Sequence, residues 1–323
     1  MKTALISGLL GQDGPYLAKF LLEKNYKVYG IVRRTTKPNF ENLDYLGIRN
    51  QVELITADMT DECSLINAVK TSRPDEIYNL AAQSFVGGSW DLATTTTETN
   101  AMGTLYLLNA MKLYAPNARF YQASTSEMYG SNCNKDGTQN ELTPFTPKSP
   151  YAISKLYAYW ITRNYRDSYG LYTCNGILFN HESPIRGLEF VTRKISNGVA
   201  GIALGKQSYI TLGNLDSKRD WGFAGDYVKA MWLMLQQKTP GDYVIATGET
   251  HTIREFLDIA FNYVGIKDWE KHVKTDPQFK RPADVVHLHG DPKLANKTLK
   301  WKPSITFKQL VEMMVEEDIK RLK

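Results

Sequence analysis

The sequence predicts an α/β fold: a doubly wound parallel sheet followed by a smaller α/β C-terminal domain. Three observations carry this. Short apolar runs alternate with segments of helical apolar spacing through the first half, a Gly-x-x-Gly-x-x-Gly turn joins the first run to the first helix, and the regular alternation decays beyond residue 180. The chain has 323 residues, 42% hydrophobic and 23% charged, enough for a large core in an ordinary globular composition. The expected division is a dinucleotide-binding domain over 1–180 and a substrate domain over 181–323, with some chain crossing back to the first. No Pro/Gly/Ser-rich linker, internal repeat or low-complexity segment separates the halves.

Thr3-Ala4-Leu5-Ile6-Ser7 reads as a short buried strand, and apolar residues then recur at helical spacing from Tyr16 to Leu22. Between them lie Gly8, Leu9, Leu10, Gly11, Gln12, Asp13 and Gly14. Glycines at that spacing allow a tight bend, a close approach of backbone amides to a pyrophosphate, and packing of the helix on the strand. Lys27 to Val32 is the second strand, and Arg33-Arg34 follows it. An acidic residue at this distance from the glycines would accept the ribose hydroxyls of NAD, whereas arginine suits the 2′-phosphate of NADP, so NADP is favoured.

Val52 to Thr56 gives a third strand. Asp58-Met59-Thr60-Asp61 suits an adenine-side loop and the cap of a helix from Glu62 to Val69. A fourth strand, Glu76 to Asn79, runs into Leu80-Ala81-Ala82-Gln83-Ser84, small residues past which a cofactor can approach the backbone. A helix over Ala101 to Leu113 and a fifth strand over Arg119 to Ala123 complete the pattern, and ligands of such sheets sit at the carboxyl ends of the strands.

Chemistry begins where the fifth strand ends, at Ser124-Thr125-Ser126-Glu127. Ser149-Pro150 then starts a helix that carries Tyr151 and Lys155, four residues apart and on one face. A fixed positive charge beside a phenol favours the phenolate and draws its pKa down from about 10, which makes Tyr151 a proton shuttle without a metal. Thr125 is placed to hydrogen-bond a substrate oxygen, Tyr151 to exchange that oxygen's proton, and Lys155 to hold the cofactor ribose. Downstream, a sixth strand is expected over Tyr172 to Phe179, helices over Phe190 to Leu204 and Phe223 to Leu235, and a closing amphipathic helix over Phe307 to Arg321.

Composition narrows the partners. The net charge of +5 is spread without a long basic run, which speaks against nucleic acid. Cys63, Cys133 and Cys174 have neither disulfide-framework nor zinc-site spacing, and His287 and His289 have no clustered acidic or Cys partners, so no metal is expected. No stretch approaches the length of a membrane span, and Gly8 and Gly11 interrupt the short apolar start, so the expected location is the cytoplasm.

Through Gly8, Gly11, Gly14, Tyr151 and Lys155 the chain resembles the extended short-chain dehydrogenases that act on nucleotide sugars. Within that group it is most similar to the GDP-mannose 4,6-dehydratase family. The resemblance rests on Gly11 to Gly14, Val32-Arg33-Arg34, Ala82-Gln83-Ser84, Tyr121 to Glu127, Leu156 to Trp160, Asn180-His181-Glu182-Ser183-Pro184, Phe190 to Lys194 and Lys218 to Gly222, and it runs over almost the whole chain. It implies a Rossmann domain, tightly bound NADP and a GDP-sugar substrate, either GDP-mannose or the corresponding manno-heptose.

The implied reaction is redox-neutral: oxidation at C4, loss of water across C5 and C6, and return of hydride to C6. Glu127 would remove the C5 proton, a step that a simple epimerase or reductase does not need. The resemblance further implies His181 and Arg186 beside the cofactor, and Ser84, Asn180, Arg193, Lys194, Arg219, Arg281 and Asp284 around the sugar nucleotide. The family's contacts between neighbouring subunits imply a homodimer or homotetramer. The chain departs from the usual pattern at Lys37 to Asn42, where further arginines are common, and at Thr95, Lys148, Ala152, Asp284 and Val286.

Overall fold

The computed structural model describes residues 1–276, 285 and 287–323. Its first half lays down β1 (Thr3–Ser7), α1 (Asp13–Glu23), β2 (Lys27–Val32), α2 (Glu41–Tyr45), β3 (Glu53–Thr56), α3 (Glu62–Ser72), β4 (Glu76–Asn79), α4 (Ala93–Thr97), α5 (Gly103–Tyr114), β5 (Arg119–Thr125), α6 (Pro150–Tyr169) and β6 (Tyr172–Leu178). Next come β7 (Asn180–Glu182), α7 (Val191–Ala203), β8 (Ile210–Leu212), β9 (Lys218–Arg219), β10 (Trp221–Phe223), α8 (Ala224–Leu235) and β11 (Asp242–Ile245). β12 (His251–Thr252), α9 (Ile253–Tyr263), β13 (Val273–Thr275), β14 (His287–Leu288), α10 (Lys293–Thr298) and α11 (Phe307–Leu322) complete the order.

Seven strands form one sheet in the order β11-β6-β5-β4-β1-β2-β3, and each neighbouring pair is parallel. Successive strand residues face opposite sides: Ile6, Tyr78 and Tyr121 enter one core with Leu17, Leu21 and Met231, while Leu5, Ile77 and Phe120 enter the other with Leu107 and Met111. Cover on both faces is why the strands read as unbroken apolar runs. The chain winds outward from β1 to β3, then returns to β4 on the other side of β1. That reversal opens a crevice at the carboxyl ends of the strands.

Several boundaries differ from the sequence expectation. The helix expected from Ala101 begins at Ala93 and passes through a π-helical turn over Glu98–Met102, and β5 continues to Thr125. Among the elements not anticipated are β11 and α9. α8 packs Tyr227, Val228 and Met231 against the α1 side of the sheet, and β11 extends the sheet beside β6. α9 joins α7 and α11 in a separate core of Ile195, Val199, Phe256, Phe261, Leu310 and Met314. Among the described residues no helix is long and apolar enough to cross a membrane, and no group of three metal-ligating side chains is gathered.

The helix that carries Tyr151 starts where local chemistry requires. The Ser149 hydroxyl accepts from Ala152 N at 3.1 Å and Pro150 takes the first turn, where a missing N–H costs nothing. Ser149→Ala is expected to cost about 1 kcal/mol, read as a lower midpoint of urea unfolding; an unchanged midpoint would remove this cap from the account.

Candidate active site

The glycine loop and the end of β4 form the floor of the crevice. Gly8 has φ +75°, and a Cβ there would lie 2.8 Å from Ala81 N; one on Gly14 would lie 2.5 Å from Gly8 O. Neither position admits a side chain. A Cβ on Gly11 would meet only Gly8 O, at 3.4 Å, with the cleft beyond it. Ser7 fixes the opposite side: its hydroxyl donates to Asn79 Oδ1 at 2.6 Å and accepts from Leu80 N and Ala81 N, both at 3.1 Å.

Thr125, Glu127, Tyr151 and Lys155 come together on one wall, each 3–9% exposed. Thr125 Oγ1 accepts from Glu127 N at 3.3 Å, and Lys155 Nζ donates to Ala123 O at 2.8 Å. The expectation that Lys155 lowers the Tyr151 pKa is not met. Burial disfavours the charged form of each: Tyr151 is pushed up to about 12, with Thr125 hydrogen bonding working against that and the Glu127 charge adding to it, and Lys155 is pushed down to about 8.

The facing wall comes from β7 and the turn after it. His181 Nδ1 lies 2.8 Å from Phe179 O and Nε2 lies 2.8 Å from Asp13 Oδ2. Both partners only accept, so the ring is the doubly protonated imidazolium. Burial pushes Asp13 up and His181 down, yet their mutual charge and hydrogen bond outweigh it, leaving Asp13 below and His181 above its ordinary value. Gln12 adds a second tie, donating to His181 O at 3.0 Å and accepting from Ser183 Oγ at 2.9 Å.

One cleft of about 1300 Å³ gathers most of the remaining expected residues. Arg33, Asp58, Met59, Leu80, Ala81, Ala82 and Ser84 line it, and so do Asn180, Arg186, Lys194 and Arg219. That volume exceeds the usual range for one small ligand and suits a dinucleotide beside a sugar nucleotide. Arg34 is exposed and outside the lining, whereas Arg33 lines the cleft.

Arg193 is also outside the lining, and its placement at the diphosphate is corrected. Its Nε lies 3.0 and 2.9 Å from the two oxygens of buried Asp318, and its Nη2 donates to the same carboxylate. Arg281 and Asp284 fall outside the described residues.

The family model described as GDP-mannose 4,6 dehydratase matches residues 5–314. The chain belongs to the GDP-mannose 4,6-dehydratase family. GDP-mannose 4,6 dehydratase 1 of Arabidopsis thaliana is 49% identical over 332 residues, covering 100% of this chain and 91% of that protein. The human GDP-mannose 4,6 dehydratase is 48% identical, covering 99% and 92%. A dTDP-glucose 4,6-dehydratase from Streptomyces venezuelae, solved with NAD bound, superposes with a TM-score of 0.86 at 25% identity, covering 98% and 96%.

Sequence reading missed three buried polar supports behind this dehydratase-family cleft, Ser7, Asn79 and Asn100. Asn100 sits in the π turn, accepts from Gln83 N at 2.9 Å and donates to Gln83 O and Ser154 Oγ, both at 3.1 Å. It thereby ties the end of β4 to the Tyr151 helix. An asparagine inside a helical run was the available signal, since it is a poor interior helix former.

The Asp13–His181 pair has a defined pH signature. A raised His181 pKa contributes stability that is complete below its unfolded value near 6.5 and is lost as pH rises through the folded value. Asp13, lowered from 3.8, contributes above that value and loses its contribution as pH falls through the folded one. The melting temperature of the cofactor-free protein should exceed that of His181→Gln most at about pH 5 and by less at about pH 9. A gap independent of pH would contradict the ion pair.

Proposed function

We propose that the protein removes water from GDP-D-mannose to give GDP-4-keto-6-deoxy-D-mannose, using tightly bound NADP. The observation that carries this reading is Glu127 beside Thr125 and Tyr151 in the cleft of a GDP-mannose 4,6-dehydratase family member. The glycine cradle, the N-terminus of α1 and Arg33 fit a dinucleotide with a 2′-phosphate. When bound, NADP supplies the acceptor that takes hydride from sugar C4 and returns it to C6.

The chain's own residues handle the protons. Thr125 holds the C4 oxygen, and Tyr151 takes the proton from that hydroxyl as the ketone forms. The ketone acidifies the C5 hydrogen, which Glu127 removes. Glu127 then delivers a proton to the departing C6 hydroxyl, so water leaves with no net redox change. Burial favours the phenol, so Tyr151 must first give up its own proton to act as the acceptor, and the proton it takes at C4 is the one returned to C5 once hydride has reached C6. Lys155 holds the cofactor ribose, and Lys194 and Arg219 meet the GDP diphosphate as point charge and fork.

The reading extends to a cytoplasmic homodimer. Ile153, Tyr157 and Trp160 repeat at i, i+4 and i+7 on α6 and are 57%, 40% and 51% exposed, an apolar stripe that suits a second copy of the same helix. Trp160→Glu is expected to shift the mass measured by light scattering from dimer to monomer; a wild-type monomer would remove the assembly.

Mass spectrometry tests the reaction. With NADP⁺ in catalytic amount, GDP-mannose should lose one water without net cofactor reduction. Glu127→Gln should retain NADP and lose on the order of 10²- to 10⁴-fold in dehydration rate. Faster water loss from the manno-heptose nucleotide would move the substrate while leaving the mechanism.

A further inference from the structure

We propose that Asp318, on the C-terminal helix, is a positioning residue for the cofactor side of the cleft, acting through Arg193 on the 183–190 segment that carries Arg186. The proposal rests on the reading that Arg186 faces the NADP phosphates.

The 183–190 segment contains turns but no helix or strand. Its own backbone bonds are two, Arg186 N to Ser183 O at 3.1 Å and Phe190 N to Gly187 O at 3.2 Å. Its shape therefore depends on tethers from outside, and α11 supplies two. Arg193, gripped by Asp318, turns its remaining Nη1 to Arg186 O at 2.8 Å. Arg321 Nη1 donates to Pro184 O at 2.5 Å.

The carboxylate of Asp318 is itself fully engaged. It receives Arg193 on both oxygens and Ser196 Oγ at 2.6 Å, and it is wholly buried. A buried ion pair is a weak device for stability, because desolvation offsets much of its attraction. It is a strong device for direction: a planar guanidinium held at one edge by a carboxylate can aim its other edge at only one place. Here that place is the Arg186 carbonyl.

The Arg186 side chain is gripped as well. Its Nε lies 3.1 Å from Glu182 Oε2, too far off line for a hydrogen bond, and its guanidinium centre lies 3.5 Å from the Phe190 ring centroid. Glu182 is fixed in turn by Thr192 Oγ1 at 2.7 Å. Backbone and side chain of Arg186 are thus set from opposite ends, and the backbone end traces to α11.

The test measures NADP retained per chain after purification of the full-length protein, the KM for added NADP⁺ and kcat at saturation, and the melting temperature. Arg186→Ala is the reference and should lose NADP. The paired Arg193→Met/Asp318→Leu variant removes both buried charges at similar volume, so it should fold. It should hold NADP on the order of tenfold less tightly, the scale on which outer supporting partners act, with KM raised and kcat recovered at saturating cofactor. Arg321→Ala, at a partly exposed tether, should move retention the same way and decides the matter should the paired variant aggregate. Wild-type retention in these variants, with loss in Arg186→Ala, would overturn the positioning role. Wild-type retention in Arg186→Ala would instead overturn the reading of Arg186 on which it rests.

Discussion

The cleft depends on one ion pair, Asp13 with His181. Asp13 opens α1, where a carboxylate complements the helix dipole, but the same position borders the glycine turn shaped for phosphate. An uncompensated carboxylate there would repel the ligand that the amides invite. His181, held as an imidazolium by two acceptors, cancels that charge and brings β7 against the glycine loop. Tyr227 stacks on the imidazole at 4.6 Å and fixes its plane. Since α8 carries Tyr227 and α8 packs on the sheet, the returning segment of the chain is part of the same arrangement.

Burial sets the second constraint. The sequence presents Tyr151 and Lys155 as a phenol beside a charge, and charge attraction alone would lower the phenol's pKa. In the structure the two share a dry wall, and desolvation acts on both in the direction of neutrality. Lys155 spends its proton on the Ala123 carbonyl rather than on Tyr151. Burial therefore opposes a standing phenolate, and the Lys155 charge beside it does not reverse that.

What was legible in the sequence follows from the range of the interactions concerned. β1, β2 and β4 match their expected limits because a strand covered on both faces is an uninterrupted apolar run, and the glycine turn is local chemistry. β11 is four residues long and gains its identity from pairing with β6, more than sixty residues earlier, which no local pattern announces. α9 was readable: Thr252 and Glu255 form a capping box, and Ile253, Phe256, Leu257, Ala260 and Phe261 hold helical spacing. Residues adjoining recognisable turns were found, whereas Ser7, Asn79 and Asn100 act through bonds to groups distant in sequence and were not.

Arg193 illustrates the limit most sharply. It neighbours Lys194, shares its type with Arg186 and Arg219, and nothing nearby in sequence distinguishes it from a phosphate ligand. Its partner lies 125 residues away, on the final helix. With Nε and Nη2 on Asp318 and Nη1 on the Arg186 carbonyl, the buried guanidinium is directed into the scaffold and away from the cleft lining. The lysines and arginines that line the cleft are instead Arg33, Lys155, Arg186, Lys194 and Arg219, drawn from separate segments of the chain. Cations from several segments thus face the cleft, while the arginine that sequence could not tell apart from them is buried against Asp318 and committed to the scaffold.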